Sequence, residues 1–214
     1  MSGFNALFLD LDDTIYPTRS LDLVQVQGFF DALDECNDTL TTEQLKKAKE
    51  EMWIMPIHVV AANYGFSQVM HDKALDFFNR EFQFSIKPFD DFQLLIDLAI
   101  PLFLITTGPE KLQQAKIKSL GIAHLFREII IDDPMKAEGG KHLAFQKLID
   151  SHQLNKDSVL VIGDNPDSEI TAAKQLNLSF ALVDRENRHR NCFRNCNPDH
   201  ALENLFQAYL SVNQ

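Results

Sequence analysis

The chain has 214 residues, of which 45% are apolar and 24% are charged, a composition typical of a soluble globular protein. Its formal net charge of −11 would repel a phosphate backbone, so we expect no nucleic-acid polymer as a partner. No apolar run reaches the roughly 20 residues that cross a bilayer, and the N-terminal sequence MSGFNALFLDLDD lacks the basic flank of a secretory signal. The three cysteines show no disulfide framework, which fits a reducing compartment. We therefore expect a cytoplasmic protein without a membrane partner.

The first predicted strand covers residues 6–10, ALFLD, and a long helical segment follows it. This segment contains no convincing strand, and its apolar residues recur at the spacing that is typical of helices. Pro17 and Pro88 lie at its edges, where the chain leaves and re-enters the sheet. We expect residues 18–87 to form a small helical cap domain. The helices predicted in this cap cover residues 21–35, 42–53, 55–64 and 69–82.

After Pro88 the chain alternates short apolar runs with helical patterns. Repeated strand, helix and strand predict right-handed crossovers and an α/β fold, a Rossmann-like parallel sheet with helices on both faces. This core domain would comprise residues 1–17 and 88–214. Its further strands are predicted at residues 101–106, 127–131, 158–163 and 179–183, and its helices at residues 109–120, 140–153, 166–177 and 199–212.

Polar residues follow the predicted strands, and in an open parallel sheet ligands bind beyond the carboxyl ends of the strands. Residues two apart in extended backbone point to the same side, so Asp10 and Asp12 can face one pocket. Several carboxylates gathered there are stable only around a cation, and oxygen ligands without His or Cys favour Mg²⁺. The polar residues expected at this edge are Asp10, Asp12, Thr14, Thr106, Thr107, Gly108, Lys141, Gly163, Asp164 and Glu169.

These residues resemble the four motifs of the haloacid dehalogenase superfamily, in the same order along the chain. The first motif, Asp-x-Asp-x-Thr after a strand, matches residues 10–14, and the second, a Thr that closes an apolar strand, matches Thr106. The third is a Lys at the start of a helix, here Lys141, and the fourth is a Gly-Asp pair with a further acid. That fourth motif matches Gly163-Asp164 and Glu169. The resemblance spans residues 4 to about 185, including a helical cap where that family often inserts one.

The resemblance implies a catalytic role for four residues. Asp10 would attack phosphorus and form an aspartyl-phosphate, which splits hydrolysis into two easier displacements. Asp12 would donate a proton to the leaving oxygen and then take one from the attacking water. Thr106 and Lys141 would hold the phosphoryl oxygens while charge develops on them.

The resemblance also implies a Mg²⁺ site and a substrate-binding turn. Asp10, the main-chain carbonyl of Asp12, and Asp164 would bind the ion, and Glu169 would orient the metal shell. The substrate would contact Thr106 and Lys141 together with the turn formed by Thr107 and Gly108.

Asp12 indicates which reaction of the superfamily to expect. Its dehalogenases lack an acid two residues after the nucleophile, because a halide leaves without a proton whereas an alkoxide needs one. The sequence DLDDTIYP, followed by a helical cap, resembles the branch that contains pyrimidine 5′-nucleotidases. We therefore expect a Mg²⁺-dependent phosphatase of small phosphate monoesters, with nucleoside 5′-monophosphates as candidate substrates. Its partner would be a small phosphorylated molecule, and the chain would be a monomer or a homodimer.

Two site residues have competitors nearby, and one further region contains residue types that bind metals. Lys136 is an alternative to Lys141, and Asp167 is an alternative to Glu169, although the helix dipole also explains an acid in a first helical turn. The region of Cys192 and Cys196 lacks the Cys-x-x-Cys spacing of common zinc sites, so we expect a surface loop there.

Two other functions use the same residue types. A phosphotransferase would pass the aspartyl-phosphate to a sugar instead of to water. A receiver-type signalling domain also combines acids, a Thr and a Lys on a parallel sheet, but its phosphorylated Asp normally ends the third strand. Here the acids end the first strand, and the insertion of roughly 70 residues exceeds what a receiver needs.

Overall fold

A computed structural model gives the structure of residues 3–21, 23–134, 136 and 139–185. The predicted strands are confirmed, each to within one residue at both ends, and they form one parallel sheet in the order β3-β2-β1-β4-β5. Because β1 is central and pairs with β2 and β4, its carboxyl end lies between theirs. The strands are β1 (Ala6–Leu9), β2 (Leu102–Thr107), β3 (Glu128–Asp132), β4 (Val159–Gly163) and β5 (Ser179–Leu182).

Helices cover both faces of this sheet, as the α/β pattern predicts. Alternate strand residues enter different apolar clusters: Leu7 and Leu9 pack on one face, whereas Phe8 packs on the other. The helices α5 (Phe92–Asp97) and α6 (Glu110–Leu120) supply residues to the cluster of Leu7. The helices α7 (Lys141–His152) and α8 (Thr171–Gln175) supply residues to the cluster of Phe8.

The segment between β1 and α5 contains four helices that share an apolar cluster of their own. The buried members of this cluster come from the stretch between Phe29 and Ala74, within the predicted cap. Our division of the chain into a core domain and an inserted cap domain stays a proposal. The helices are α1 (Leu23–Cys36), α2 (Thr42–Glu51), α3 (Ile57–Tyr64) and α4 (Gln68–Phe78).

Three helical features differ from the sequence prediction. The helix α5 is not predicted at all, because its six residues are too few to show a helical period. The helix α4 ends at Phe78 rather than at residue 82, and residues 81–89 are irregular. The segment predicted as one helix over 166–177 begins with a π-helical turn, Pro166–Ile170, before α8.

The helix predicted over 199–212 and the region of Cys192 and Cys196 lie outside the described residues. Within the described part of the chain, no helix is both long and apolar enough to cross a membrane.

Candidate active site

Asp10 lies directly after the central strand β1. Its N–H donates to the carbonyl of Ile162 at 3.0 Å, which continues the pairing with β4 and fixes the backbone at this point. Its side chain is almost fully buried. Lys141, the first residue of α7, lies with its Nζ 2.5 Å from Asp10 Oδ1 and 2.5 Å from Glu169 Oε1. One buried ammonium group therefore joins two carboxylates that come from different elements.

Asp10, Asp164 and Glu169 form an acidic cluster, with one oxygen of each within 4.8 Å of the others. Burial raises the pKa of Asp10, Lys141 lowers it, and repulsion from Glu169 raises it further, so that the pKa is about 7. Burial works to lower the pKa of Lys141, but Asp10 and Glu169 raise it, so it remains an ammonium group. Lys141 is therefore paired with two of the three acids of the cluster, Asp10 and Glu169.

The acidic cluster has the chemistry of a Mg²⁺ site. All of its donors are oxygens, which is the set that a hard divalent ion prefers. In addition, Glu169 Oε2 is buried and accepts no hydrogen bond from any described residue, although a buried oxygen without a donor is costly. A cation would satisfy this oxygen and offset the excess of negative charge, so the residues fit Mg²⁺.

Gly163 allows Glu169 to reach the cluster. A Cβ atom added at Gly163 would lie 2.0 Å from Glu169 Cγ, far inside any real contact. Any larger residue at this position would displace Glu169. The close approach of the Glu169 side chain to the backbone thus explains why a glycine precedes Asp164 at the end of β4.

Asp12 accepts hydrogen bonds from a set of donors that differs from the partners of the acidic cluster. Its Oδ1 accepts from Lys116 Nζ at 2.7 Å and from the Tyr16 hydroxyl at 2.5 Å, and its Oδ2 accepts from Gln113 Nε2 at 2.9 Å. Burial works to raise the pKa of Asp12, but Lys116, with Tyr16 and Gln113, lowers it overall. Asp12 is therefore held as a carboxylate in this arrangement.

The end of β2 contributes the buried Thr106 and a turn in which Thr107 is half-buried and Gly108 is buried. Thr106 is buried, and its Oγ1 accepts from Gln113 Nε2 at 2.6 Å. Thr107 and Gly108 line the cavity in front of the acidic cluster. The same Gln113 nitrogen thus bonds Thr106 and Asp12, which ties the end of β2 to the loop after β1.

The structure separates the competing residues by position. Lys136 is exposed and pairs with Glu110, whereas Lys141 is buried beside Asp10. The Asp167 side chain is exposed in the first turn after β4, and its N–H donates to the Asn165 side chain. The positions of Lys141 and Glu169 therefore agree with the predicted roles, which stay predictions until activity is measured.

Three residues of the site are absent from the sequence prediction: Tyr16, Gln113 and Lys116. Gln113 and Lys116 are buried in α6 together with Ile117, so they share the buried face of that helix. Polar residues on the apolar face of a helix are the signal that could have identified them. Tyr16 gives no such signal, because a buried tyrosine is common in apolar cores.

A cavity of about 210 Å³ lies in front of these residues. Its wall combines the carboxyl ends of the strands with side chains of the segment between Leu21 and Phe84. Pockets for drug-sized ligands measure roughly 300–1,000 Å³, so this cavity fits a smaller molecule.

The fold and site together define an α/β protein with an acidic cluster at the carboxyl end of a parallel sheet. The model of the haloacid dehalogenase-like hydrolases matches residues 7–183, and the chain belongs to this family. The predicted family and the predicted fold class are both confirmed.

Particular proteins resemble the chain to different extents. A phosphoglycolate phosphatase from Vibrio cholerae is 30% identical over 105 residues, which are 49% of this chain and 46% of that protein. The match thus spans about half the length of this relative. A predicted phosphatase from Clostridium acetobutylicum has a TM-score of 0.72 at 18% identity, covering 98% of this chain and 100% of the other. The hydrolase YfnB from Bacillus subtilis, whose structure is bound to magnesium, has a TM-score of 0.56 at 16% identity, covering 97% and 99%.

Proposed function

We propose that the protein is a Mg²⁺-dependent phosphatase that hydrolyses small phosphate monoesters through an aspartyl-phosphate on Asp10. The observation that carries this proposal is the pairing of a buried nucleophile candidate with a buried ammonium group, Asp10 with Lys141 at 2.5 Å, beside an acidic cluster. Membership of a hydrolase family and a relative named as a phosphatase support it. Nucleoside 5′-monophosphates remain candidate substrates.

In the first step, an oxygen of Asp10 bonds to phosphorus while the bond from phosphorus to the ester oxygen breaks. Lys141 already contacts Asp10, so its ammonium group can hold a phosphoryl oxygen where negative charge develops. Asp12 gives its proton to the leaving oxygen, and the alcohol departs. To do so, Asp12 must first take up a proton, which a neighbouring phosphate dianion favours by raising its pKa.

In the second step, water attacks phosphorus and the bond to Asp10 breaks. Asp12 accepts the proton of this water, and inorganic phosphate is released. Lys116 favours the charged form of Asp12 and keeps it ready to accept a proton. Burial and Asp12 raise the pKa of Tyr16 well above its usual range, so Tyr16 stays a hydrogen-bond donor to that carboxylate.

Asp10, Asp164 and Glu169 would hold Mg²⁺, together with the main-chain carbonyl of Asp12 that the family resemblance implies. When bound, the ion supplies positive charge that offsets the repulsion between the Asp10 carboxylate and the phosphate. Without it, burial and the repulsion of Glu169 favour the protonated form of Asp10, which cannot attack phosphorus, although Lys141 opposes this effect on the pKa.

Removing the metal is expected to abolish most of the activity. Phosphate release from p-nitrophenyl phosphate in excess chelator should fall at least about 100-fold, because the acidic cluster then repels the substrate. Adding MgCl₂ in excess of the chelator should restore the rate. Full activity in chelator would contradict the Mg²⁺-dependent mechanism.

The two candidate supporting acids can be compared directly. Glu169→Gln should raise the Mg²⁺ concentration for half-maximal activity about 10- to 100-fold, because a carboxylate of the acidic cluster is lost. Asp167→Asn is the matched control, since its side chain is exposed and its N–H, which bonds Asn165, is unchanged. A Mg²⁺ titration of both variants decides between them, and a larger shift for Asp167→Asn would contradict our assignment.

A further inference from the structure

The part of the cavity beyond the acidic cluster is lined mainly by aromatic and aliphatic side chains. Phe30 and Trp53 pack edge to face with ring centroids 6.1 Å apart, and both line the wall. Met55, Phe77 and Phe82 extend the same apolar surface. A molecule that fills this space would transfer apolar area out of water, which is favourable by about 25 cal/mol per Å² in general.

The cations that line the cavity in the described part of the chain are already paired with carboxylates. Among the described residues that line the cavity, the cations are Lys116 and Lys141. Lys116 is paired with Asp12, and Lys141 is paired with Asp10 and Glu169. The phosphoryl group itself requires Lys141, so a carboxylate on the leaving group would meet a wall with a negative balance of charge.

Two arginines lie near the apolar wall, where their guanidinium groups lie over its aromatic rings. The guanidinium of Arg80 lies 3.4 Å from the ring centroid of Phe77 and also donates to the Gln25 carbonyl. The guanidinium of Arg19 lies 5.9 Å from the Trp53 ring centroid. Neither arginine lines the cavity.

We propose that this cavity selects phosphate monoesters whose alcohol part is small, uncharged and mainly apolar. The proposal rests on the proposed phosphatase function and names its substrate class. It also predicts a difference from the relative in Vibrio cholerae, because phosphoglycolate, the substrate in that protein's name, contains a carboxylate.

A series of alkyl phosphates tests the proposal, because their alcohols differ little in intrinsic reactivity. We expect kcat/KM to rise about fourfold for each methylene from ethyl to butyl phosphate, and benzyl phosphate to be the best of the set. Phosphoglycolate differs from ethyl phosphate by a carboxylate in place of a methyl group. Its kcat/KM should be at least about tenfold below that of ethyl phosphate.

The outcomes separate this proposal from the proposed function. If no ester releases phosphate in the presence of Mg²⁺, the phosphatase function itself fails. If the esters are hydrolysed but kcat/KM does not change along the series, or if phosphoglycolate or uridine 5′-monophosphate exceeds benzyl phosphate, the function stands and the apolar selectivity is wrong.

A gain-of-charge variant tests the electrostatic part. Ile54 lines the cavity and is half exposed, so Ile54→Lys adds a cation without disturbing a buried position. We expect this variant to raise the ratio of kcat/KM for phosphoglycolate over ethyl phosphate at least about fivefold. Ile54→Gln is the control for size and polarity and should leave this ratio unchanged. An equal ratio in both variants would contradict the role of charge.

Discussion

Replacing Asp10 by Asn is expected to reduce hydrolysis of p-nitrophenyl phosphate at least about 1,000-fold. The amide has nearly the shape of the carboxylate but is not a nucleophile, so the bond between Asp10 and phosphorus cannot form. Saturating Mg²⁺ and substrate should not restore the rate, because the loss is in the chemical step. Near-full activity of the variant would show that Asp10 is not the nucleophile.

The fold of the Asp10→Asn variant should remain intact. Burial raises the pKa of Asp10 to about 7 against the lowering effect of Lys141, and repulsion from Glu169 and Asp12 adds to the rise. Removing one negative charge relieves that repulsion, so thermal unfolding in chelator should occur at an unchanged or higher temperature. A loss of activity together with a preserved unfolding temperature separates a chemical role from a structural one.

Asp13→Asn is the matched control in the same loop. Asp13 has a φ of 51°, which Asn tolerates well, and its Oδ1 accepts from the Thr18 N–H at 2.8 Å. An amide oxygen can accept the same bond, so the variant should keep its structure. We expect it to retain more than about half of the activity. A loss as large as that of Asp10→Asn would mean that the assay reports loop integrity instead of nucleophilic attack.

The sequence predicted the sheet well because each strand is indicated by a few neighbouring residues. Each strand is a short apolar run, fully or almost fully buried in β1, β2 and β4 and partly buried in the edge strands β3 and β5, and such runs are visible without knowledge of the fold. The residues at the carboxyl ends of these strands follow directly from the strands. The sequence alone therefore predicts that Asp10 and Asp164 lie at one edge of the sheet.

The surroundings of Asp12 could not be predicted because they are non-local. Lys116 and Gln113 lie about a hundred positions further along the chain than Asp12, and they reach it only through the packing of α6 against the sheet. The apolar wall of the cavity is similar. Several of its phenylalanines lie in predicted helices, and helical spacing does not show which of them face a cavity: Phe77 packs on Phe29 and also lines the cavity.

Replacing Lys116 by Met is expected to lower the free energy of unfolding by about 3 kcal/mol at pH 7. The side chain of Lys116 is buried, and removing it leaves the Asp12 carboxylate without its cation. Lys111→Met is the matched control on the same helix, because Lys111 forms an exposed ion pair with Glu81. Such surface pairs contribute about 0–1 kcal/mol. Urea unfolding in chelator measures both variants, and equal losses would contradict the importance of the buried pair.

The loss of unfolding free energy caused by Lys116→Met should depend on pH. The pKa of Asp12 determines whether this loss grows or shrinks as the pH falls. In the wild type this pKa lies below its usual value of 3.8, so the pair stabilises the fold above that value and its contribution is lost as the pH falls through the lowered pKa. In the variant, burial is no longer opposed by Lys116, so the pKa of Asp12 rises and the carboxyl group takes up a proton sooner. The difference in unfolding free energy between wild type and variant should therefore shrink as the pH falls from 7 towards about 3. A difference that stays constant over this range would show that Lys116 stabilises the fold through packing and not through its charge.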